Sequence, residues 1–168
     1  GTVTATVSDG DLDTLTGLAA RANAALTVTV TDTAGTAAEL NTVNAGTTQA
    51  VTITNITAIE ASTIGDINTL RTSLASDFSG ATNIANVSVS GNTVDYTLLD
   101  AEINAFNLLN SPTAFALAAT TTVTLDDQSE VTDFISDVTS DPALLVVSGA
   151  NQAVTVTNSG AGGVDITV

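Results

Sequence analysis

The chain has 168 residues, with 18 acidic side chains against two basic ones, Arg21 and Arg71, for a formal net charge of −16. Lys, His, Cys, Met and Trp are absent, which excludes soft-metal sites, thiol nucleophiles, Ser-His-Asp relays, lysine Schiff bases, P-loop lysines, disulfides and Lys–Asn isopeptide crosslinks. The charge opposes any nucleic-acid partner and any direct binding to an anionic membrane, and it attracts hard cations.

Hydrophobic residues make up 43% of the chain and recur periodically, which argues for a folded core and against acidic disorder. The first predicted elements are three similar strands, "TATVSD" (Thr4 to Asp9), "LTVTVTD" (Leu26 to Asp32) and "AVTITN" (Ala50 to Asn55). Apolar residues alternate with threonine, so Leu26, Val28 and Val30 fall on one face and are candidate core. Val7-Ser8-Asp9, Val30-Thr31-Asp32 and Ile53-Thr54-Asn55 recur at a spacing of 23 residues.

Helical segments lie between the strands. "GDLDTLTGLAARANA" sets Leu12, Leu15, Leu18, Ala19 and Ala22 on one face. "GTAAELNTVNAG" sets Leu40 and Val43 inward behind a Thr36/Glu39 capping box and ends at Gly46. "STIGDINTLRTSLA" places Ile64, Ile67, Leu70 and Leu74 on one face, with Ser62 or Thr63 as cap. "NVSVSGNTVDYTL" reads as a β-hairpin turning at Gly91-Asn92, with Val94, Tyr96 and Leu98 in its second strand. A helix with Leu99, Ile103 and Phe106 inward follows, ending near Ser111-Pro112. "TTTVTLDD" is a strand. The next helix turns Val131, Phe134, Ile135 and Val138 inward and stops before Pro142, and two or three strands close the chain.

Strand–helix alternation predicts an α/β fold with parallel strands. A period of 23 is short for a doubly wound unit and suits a solenoid. The expectation is therefore a solenoid-like stack of short strand–helix repeats with a β-rich C-terminal part. Residues 1–80 form the repeats of about 23 residues, and 81–168 hold the hairpin, two further helices and the C-terminal strands, in one continuous domain. The competing arrangement is a compact α/β or α+β domain with an internal duplication. No stretch has the length of a membrane helix. The opening Gly1-Thr2 reads as a fragment or mature start of a longer protein.

The "VT[VI]T[DN]" strand, the "TAAELN" helix start and the "TIGDINTL" variant resemble the degenerate strand–helix repeats of very large secreted bacterial surface proteins. These are common in marine cyanobacteria and include cell-surface motility and hemolysin-like calcium-binding types. The resemblance covers residues 3–75 well and the rest loosely. It implies type I export, dependence on calcium, and a role in surface layers, filaments or adhesive coats. Glycine-rich calcium nonapeptides occur in that family. Gly160 to Thr167 matches them only in part, with Ala161 in place of a glycine and Thr167 in place of a bulky apolar residue.

Two acidic groups are candidate metal ligands. Asp9, Asp11 and Asp13 alternate in a loop around Gly10, a pattern able to present several oxygens to Ca²⁺, but Ala20 stands at the twelfth position where an EF-hand has glutamate. Asp126, Asp127 and Glu130 form the second group, which Asp137 and Asp141 could join. The competing role of both groups is helix N-capping. Paired carboxylates with few aromatic residues do not make a glycosidase, and no enzyme is expected.

The rows Thr27/Thr29/Thr31, Thr52/Thr54, Thr122/Thr124 and Thr155/Thr157 would form a hydroxyl lattice on stacked strands, a geometry resembling that of ice-binding solenoids. The plainer reading is a solvated strand face. Asn55-Ile56-Thr57 and Asn86-Val87-Ser88 match the glycosylation triplet. The strand edges at the two chain ends invite pairing with a neighbour.

Together these readings predict a non-enzymatic, extracellular structural or adhesive module of a bacterial surface layer, filament or adhesin. It would be stabilised by calcium and would partner neighbouring copies or modules of the same surface protein. The alternative is a ligand-binding face for ice or carbohydrate.

Overall fold

The computed structural model of the chain describes residues 4–21, 24–109, 113–139, 144–147 and 153–156. Alternation sets its first strands. β1 (Thr4–Thr6) pairs in parallel with β2 (Ala25–Thr27), and just beyond β2 Thr29 bridges Thr52 in parallel. Leu26, Val28 and Val30 are buried while Thr27, Thr29 and Thr31 are exposed, the period of two expected of a half-buried strand. Thr29 opposite Thr52 preserves the spacing of the sequence repeat. Thr6 opposite Thr27 shortens the first step by two residues, a shift that keeps the same face inward.

Later units divide their extended part between separate sheets. β3 (Ala34–Thr36), β5 (Ala58–Ser62), β7 (Asn86–Val89), β9 (Ala114–Leu117) and β11 (Leu145–Val146) form one five-stranded sheet in chain order. β4 (Val51–Thr52) pairs with β6 (Phe78–Ser79), and β8 (Thr93–Asp95), β10 (Thr122–Leu125) and β12 (Ala153–Val156) form a three-stranded sheet, again in chain order. All these pairings are parallel, so the fold is α/β.

Parallel neighbours require a crossover, and helices take part in supplying it. They are α1 (Leu12–Leu15), which continues as a 3-10 segment, α2 (Ala37–Ala45), α3 (Ile64–Leu74), α4 (Tyr96–Leu109) and α5 (Gln128–Thr139). Consecutive helices contact one another along the series.

Local chemistry fixes the helix ends. Thr36 and Glu39 close the capping box on α2. Thr63 caps α3 by accepting the Asp66 N–H, whereas Ser62 turns inward, accepting the Ala37 N–H at 2.8 Å and donating to the Glu60 carbonyl at 2.7 Å. Gly46 ends α2 at φ −82°, in the right-handed region. A side chain is excluded there by close approach, since a Cβ would lie 2.8 Å from the Leu18 carbonyl carbon.

The hairpin expected over "NVSVSGNTVDYTL" does not form. β7 and β8 belong to different sheets, and among the described residues each pairs only in parallel, β7 with β5 and β9, and β8 with β10. Positions 90–92 form a corner whose groups serve adjacent units. The Ser90 N–H donates to the Ser62 carbonyl at 2.8 Å, and the Asn92 carbonyl accepts from the Thr122 N–H at 3.0 Å. Tyr96 and Leu98 lie in α4, where the Asp95 carboxylate accepts the Leu98 N–H at 3.3 Å.

The interior joins the inner strand faces to one stripe of each helix. Val28, Val30, Ile53, Ile59, Val87 and Phe115 meet Leu40, Ile67, Leu70, Leu99 and Phe106 in one cluster. Phe106 meets Phe115 edge-on with ring centroids 5.6 Å apart. Buried hydroxyls are paired to backbone: Thr113 donates to the Ile84 carbonyl at 3.2 Å and Thr121 to the Gly91 carbonyl at 3.0 Å. Side-chain amides extend the ladders at the corners, with Asn55 donating to the Thr31 carbonyl at 3.4 Å and Asn83 to that of Thr54 at 2.5 Å.

Gly80 combines two demands. Its φ is +83°, and a Cβ would lie 2.4 Å from Thr54 Cγ2 and 2.9 Å from Thr54 Cα. Gly80→Ala is expected to lower the stability by about 2–4 kcal/mol in denaturant unfolding, from left-handed strain and overpacking together. Gly17→Ala, which meets no neighbour within 4 Å, is expected to be near neutral.

Candidate functional site

The first acidic group lies at the start of α1. The Asp9 carboxylate accepts the Asp11 N–H at 3.1 Å, that of Asp11 accepts the Asp13 N–H at 3.0 Å, and that of Asp32 accepts the Leu12 N–H at 2.8 Å. Asp13 is exposed in the first turn. These carboxylates cap the helix and favour its positive end. Asp11, Asp13, Asp32, Glu39 and Glu60 also line a depression of about 150 Å³. One oxygen of Glu39 is committed there, accepting the Thr36 N–H and hydroxyl at 2.8 Å each.

The second group caps α5. The Asp127 carboxylate accepts the Glu130 N–H at 3.0 Å, and Glu130 accepts from the Asp126 N–H and the Thr97 hydroxyl. Asp137 lies farther along α5, and Asp141 is outside the described residues. Among the described residues no three acidic side chains are grouped to hold a metal ion.

The threonines of the candidate rows differ in exposure and fall in separate sheets. Thr27, Thr29, Thr31, Thr54 and Thr155 are exposed, and Thr52, Thr122 and Thr124 are half-buried. Thr157 lies outside the described residues. Thr6 faces Thr27, Thr29 faces Thr52, Thr93 faces Thr122, and Thr124 faces Thr155 across parallel pairs. Ser79 and Asp95 occupy lattice positions beside Thr52 and Thr124. Ser79 donates its hydroxyl to that of Thr52 at 3.1 Å.

Sequence reasoning missed two polar groups that join neighbouring helices. Glu102 on α4 is 2% exposed and is held from α3 by Arg71, with Nε–Oε2 at 2.8 Å and Nη2–Oε1 at 3.2 Å, and by Asn68 at 2.6 Å. A carboxylate so buried needs such donors. The spacings of 31 and 34 residues exceed one period of the early repeat, so the partners are not visible along a single helix.

The other group lies at the α4–α5 contact. The Tyr96 hydroxyl donates to Asp137 Oδ2 at 2.8 Å, and Phe134 packs edge-on against the Tyr96 ring. Burial, then Asp137, raise the Tyr96 phenol above its ordinary value. Burial also raises Asp137, opposed by the tyrosine hydrogen bond and assisted by the Asp133 charge. Asp100 on α4 is raised by burial and by the charges of Asp137 and Asp133, while its bond from Asn104 opposes the shift. At the far ends of α2 and α3, Asp77 is held below its ordinary value by hydrogen bonds from Ser76 and Asn44. It lines a polar depression of about 280 Å³ with Asn44, Thr47, Thr48, Gln49 and Ser76.

No helix among the described residues is long and apolar enough to cross a membrane. No protein-family model, curated protein or solved structure matches the chain.

The raised carboxyls set the direction of the pH response. Asp100 and Asp137 bind protons more readily in the fold than in the unfolded chain, so acidification from neutrality stabilises the fold until the unfolded carboxyls, near 3.8, also titrate. Asp77 acts oppositely, and its contribution is lost only below that value. Thermal unfolding is expected to show Tm rising from pH 7 toward mildly acidic pH. Asp137→Asn is expected to raise Tm at pH 7 and flatten the profile; an unchanged slope would contradict the assignment.

Proposed function

We propose that the chain is a non-enzymatic, extracellular structural or adhesive module of a bacterial surface layer, filament or adhesin, built as a solenoid of short strand–helix turns with a β-rich C-terminal part. The observation that carries this reading is the parallel order β3-β5-β7-β9-β11, in which each strand pairs with its counterparts in the adjacent units. Such an arrangement is quasi-one-dimensional and lengthens by adding units without redesigning a closed core. The resemblance of "VTVTD" and "TAAELN" to repeats of giant secreted surface proteins supports the same role and the cell-surface location.

Calcium enters this proposal chiefly as a neutralising counterion. A net charge of −16 makes neighbouring modules repel, and divalent cations relieve that repulsion without a dedicated cage. Antibody raised against the chain is expected to label intact, unpermeabilised source cells, and chelation is expected to release the labelled material. Labelling only after permeabilisation would contradict the surface role. Retention after chelation would remove the calcium contribution.

The facing pairs Thr6/Thr27, Thr29/Thr52, Thr93/Thr122 and Thr124/Thr155 favour a second reading, an outward face for ice or carbohydrate. Across a parallel pair such residues lie roughly 4.8 Å apart. Thermal hysteresis in concentrated protein, lost in Thr29→Lys, is the outcome expected of an ice face; its absence from the unmodified chain removes that case.

A further inference from the structure

The depression at the C-terminal ends of α2 and α3 is a polar cavity that the core does not need. Of its lining groups, Thr47 is structural. The Thr47 hydroxyl accepts the Leu26 N–H at 3.0 Å and the Gln49 N–H at 3.1 Å, and it donates to the Leu26 carbonyl at 2.7 Å. A hydroxyl has one donor and two acceptor sites, so Thr47 is saturated and fixes the wall. Thr48 is pinned by its N–H, which donates to the Ala24 carbonyl at 2.9 Å, while its side chain and that of Gln49 are exposed.

Asp77 is the charged group of the cavity and is held rigidly. Its N–H donates to the Ser73 carbonyl at 2.8 Å, and its carbonyl accepts the Val51 N–H at 2.9 Å. The Asn44 amide donates to Asp77 Oδ2 at 3.1 Å, joining the end of α2 to the turn after α3. Hydrogen bonds from Ser76 and then Asn44 keep the carboxyl below its ordinary value, so it carries its charge throughout the neutral range. Two donors leave part of a carboxylate's roughly four acceptor sites open toward the cavity.

The surroundings add to the negative potential. The C-terminal end of a helix carries about half a negative charge, and here two such ends lie side by side. The last turn of α2 holds no basic residue, and Arg71 in the last turn of α3 is bonded to Glu102. The other polar lining groups are neutral: the Asn44 and Gln49 amides and the Thr48 and Ser76 hydroxyls. Ala50 is the one apolar side chain among the described lining residues.

This chemistry selects a ligand class. A fixed carboxylate between two helix ends suits a primary ammonium group, which has three donors and no acceptor. Amides and hydroxyls around it suit hydroxyl groups on the same molecule. A volume of about 280 Å³ is just below the roughly 300–1,000 Å³ of drug-sized sites, so the molecule is small.

We propose that this depression binds a small hydroxylated primary amine of the amino-sugar kind, with the ammonium group on Asp77 and the hydroxyls on Asn44, Thr48 and Gln49. The site rests on neither export nor a cell-surface location. It is open to solvent, and its affinity is accordingly modest.

NMR titration of the isotope-labelled chain tests the proposal, at mildly acidic pH and about 0.15 M salt, where glucosamine is cationic and long-range attraction is screened. Glucosamine is expected to shift the amide signals of Asn44, Thr48, Gln49 and Asp77 with a Kd of about 1–10 mM. Glucose, which lacks the ammonium group, and Nα-acetyl-lysine amide, which lacks the hydroxyls and stands for a lysine of a protein partner, are each expected to bind at least about tenfold more weakly. No localised shifts with glucosamine up to about 50 mM overturn the proposal. Equal binding of glucose refutes the role of the ammonium group. Equal binding of the lysine derivative refutes the hydroxylated ligand and points to a protein lysine as the occupant.

Variants separate this site from general attraction to an acidic chain. Asp77→Asn is expected to weaken glucosamine at least about tenfold, whereas Asp133→Asn, which removes an exposed carboxylate from α5, is expected to leave its affinity unchanged. Equal losses in the two variants overturn the proposal. Gln49→Lys is the check that spares the Asp77 hydrogen bonds, because its exposed side chain sets a tethered ammonium group in the cavity. It is expected to block glucosamine at least about tenfold with Tm unchanged, and undiminished binding would refute the placement.

Discussion

Parallel pairing in register is the constraint on which this fold depends. A strand such as 26–31 has one apolar face and one threonine face, and two strands alone cannot bury the apolar one. Burial is completed by the following helix and by the units on either side, so Val28, Val30, Ile53 and Leu40 enter one continuous cluster. The same pairing satisfies the backbone. The Thr52 N–H reaches the Val28 carbonyl, and the Val30 N–H reaches that of Thr52, each at 2.9 Å. A slip by one residue would send valines outward and threonines into the core.

Polar side chains at element ends and corners serve that register. Thr36, Thr63 and Asp11 cap helices, Ser62 and Thr47 satisfy buried backbone groups, and Asn55 and Asn83 carry the ladder around corners. The same backbone-directed bonding accounts for contacts within the acidic clusters. At Asp9, Asp11, Asp32 and Asp127, carboxylate oxygens are engaged by N–H groups at or just before helix starts. Side chains also bond directly between helices: Arg71 and Asn68 hold the buried Glu102 carboxylate and tie α3 to α4, and Tyr96 donates to Asp137 between α4 and α5.

The parts legible from sequence were those governed by short-range periodicity. Alternation identified Leu26, Val28 and Val30 as core; the three-to-four spacing identified Ile67, Leu70 and Leu74; and Thr36 with Glu39 identified a cap. Alternation held at Val94, which lies in β8, and misled at Tyr96 and Leu98, because a strand ending where a helix begins can keep its period of two across the junction. Asp95, which accepts the Leu98 N–H, was the overlooked signal there. Gly91-Asn92 suggested a hairpin, but the parallel partners of β7 and β8 come from other units. Tyr96 with Asp137, 41 residues apart, could not be found from local spacing.

The most direct measurement is calorimetric unfolding of a chain lacking residues 58–85 and carrying Glu102→Leu, because the deletion removes Arg71 and Asn68, the donors to that buried carboxylate. Ala58 lies opposite Asn86 and Ile59 opposite Val87, so the deletion joins Thr57 to a strand occupying the matching position in the next unit. A stack in which units touch mainly their neighbours should close over the gap, giving a shorter protein that still unfolds cooperatively and retains its helical and strand content. A deletion product with no cooperative transition would show that the core is closed across the whole chain, and would contradict the proposed one-dimensional stack.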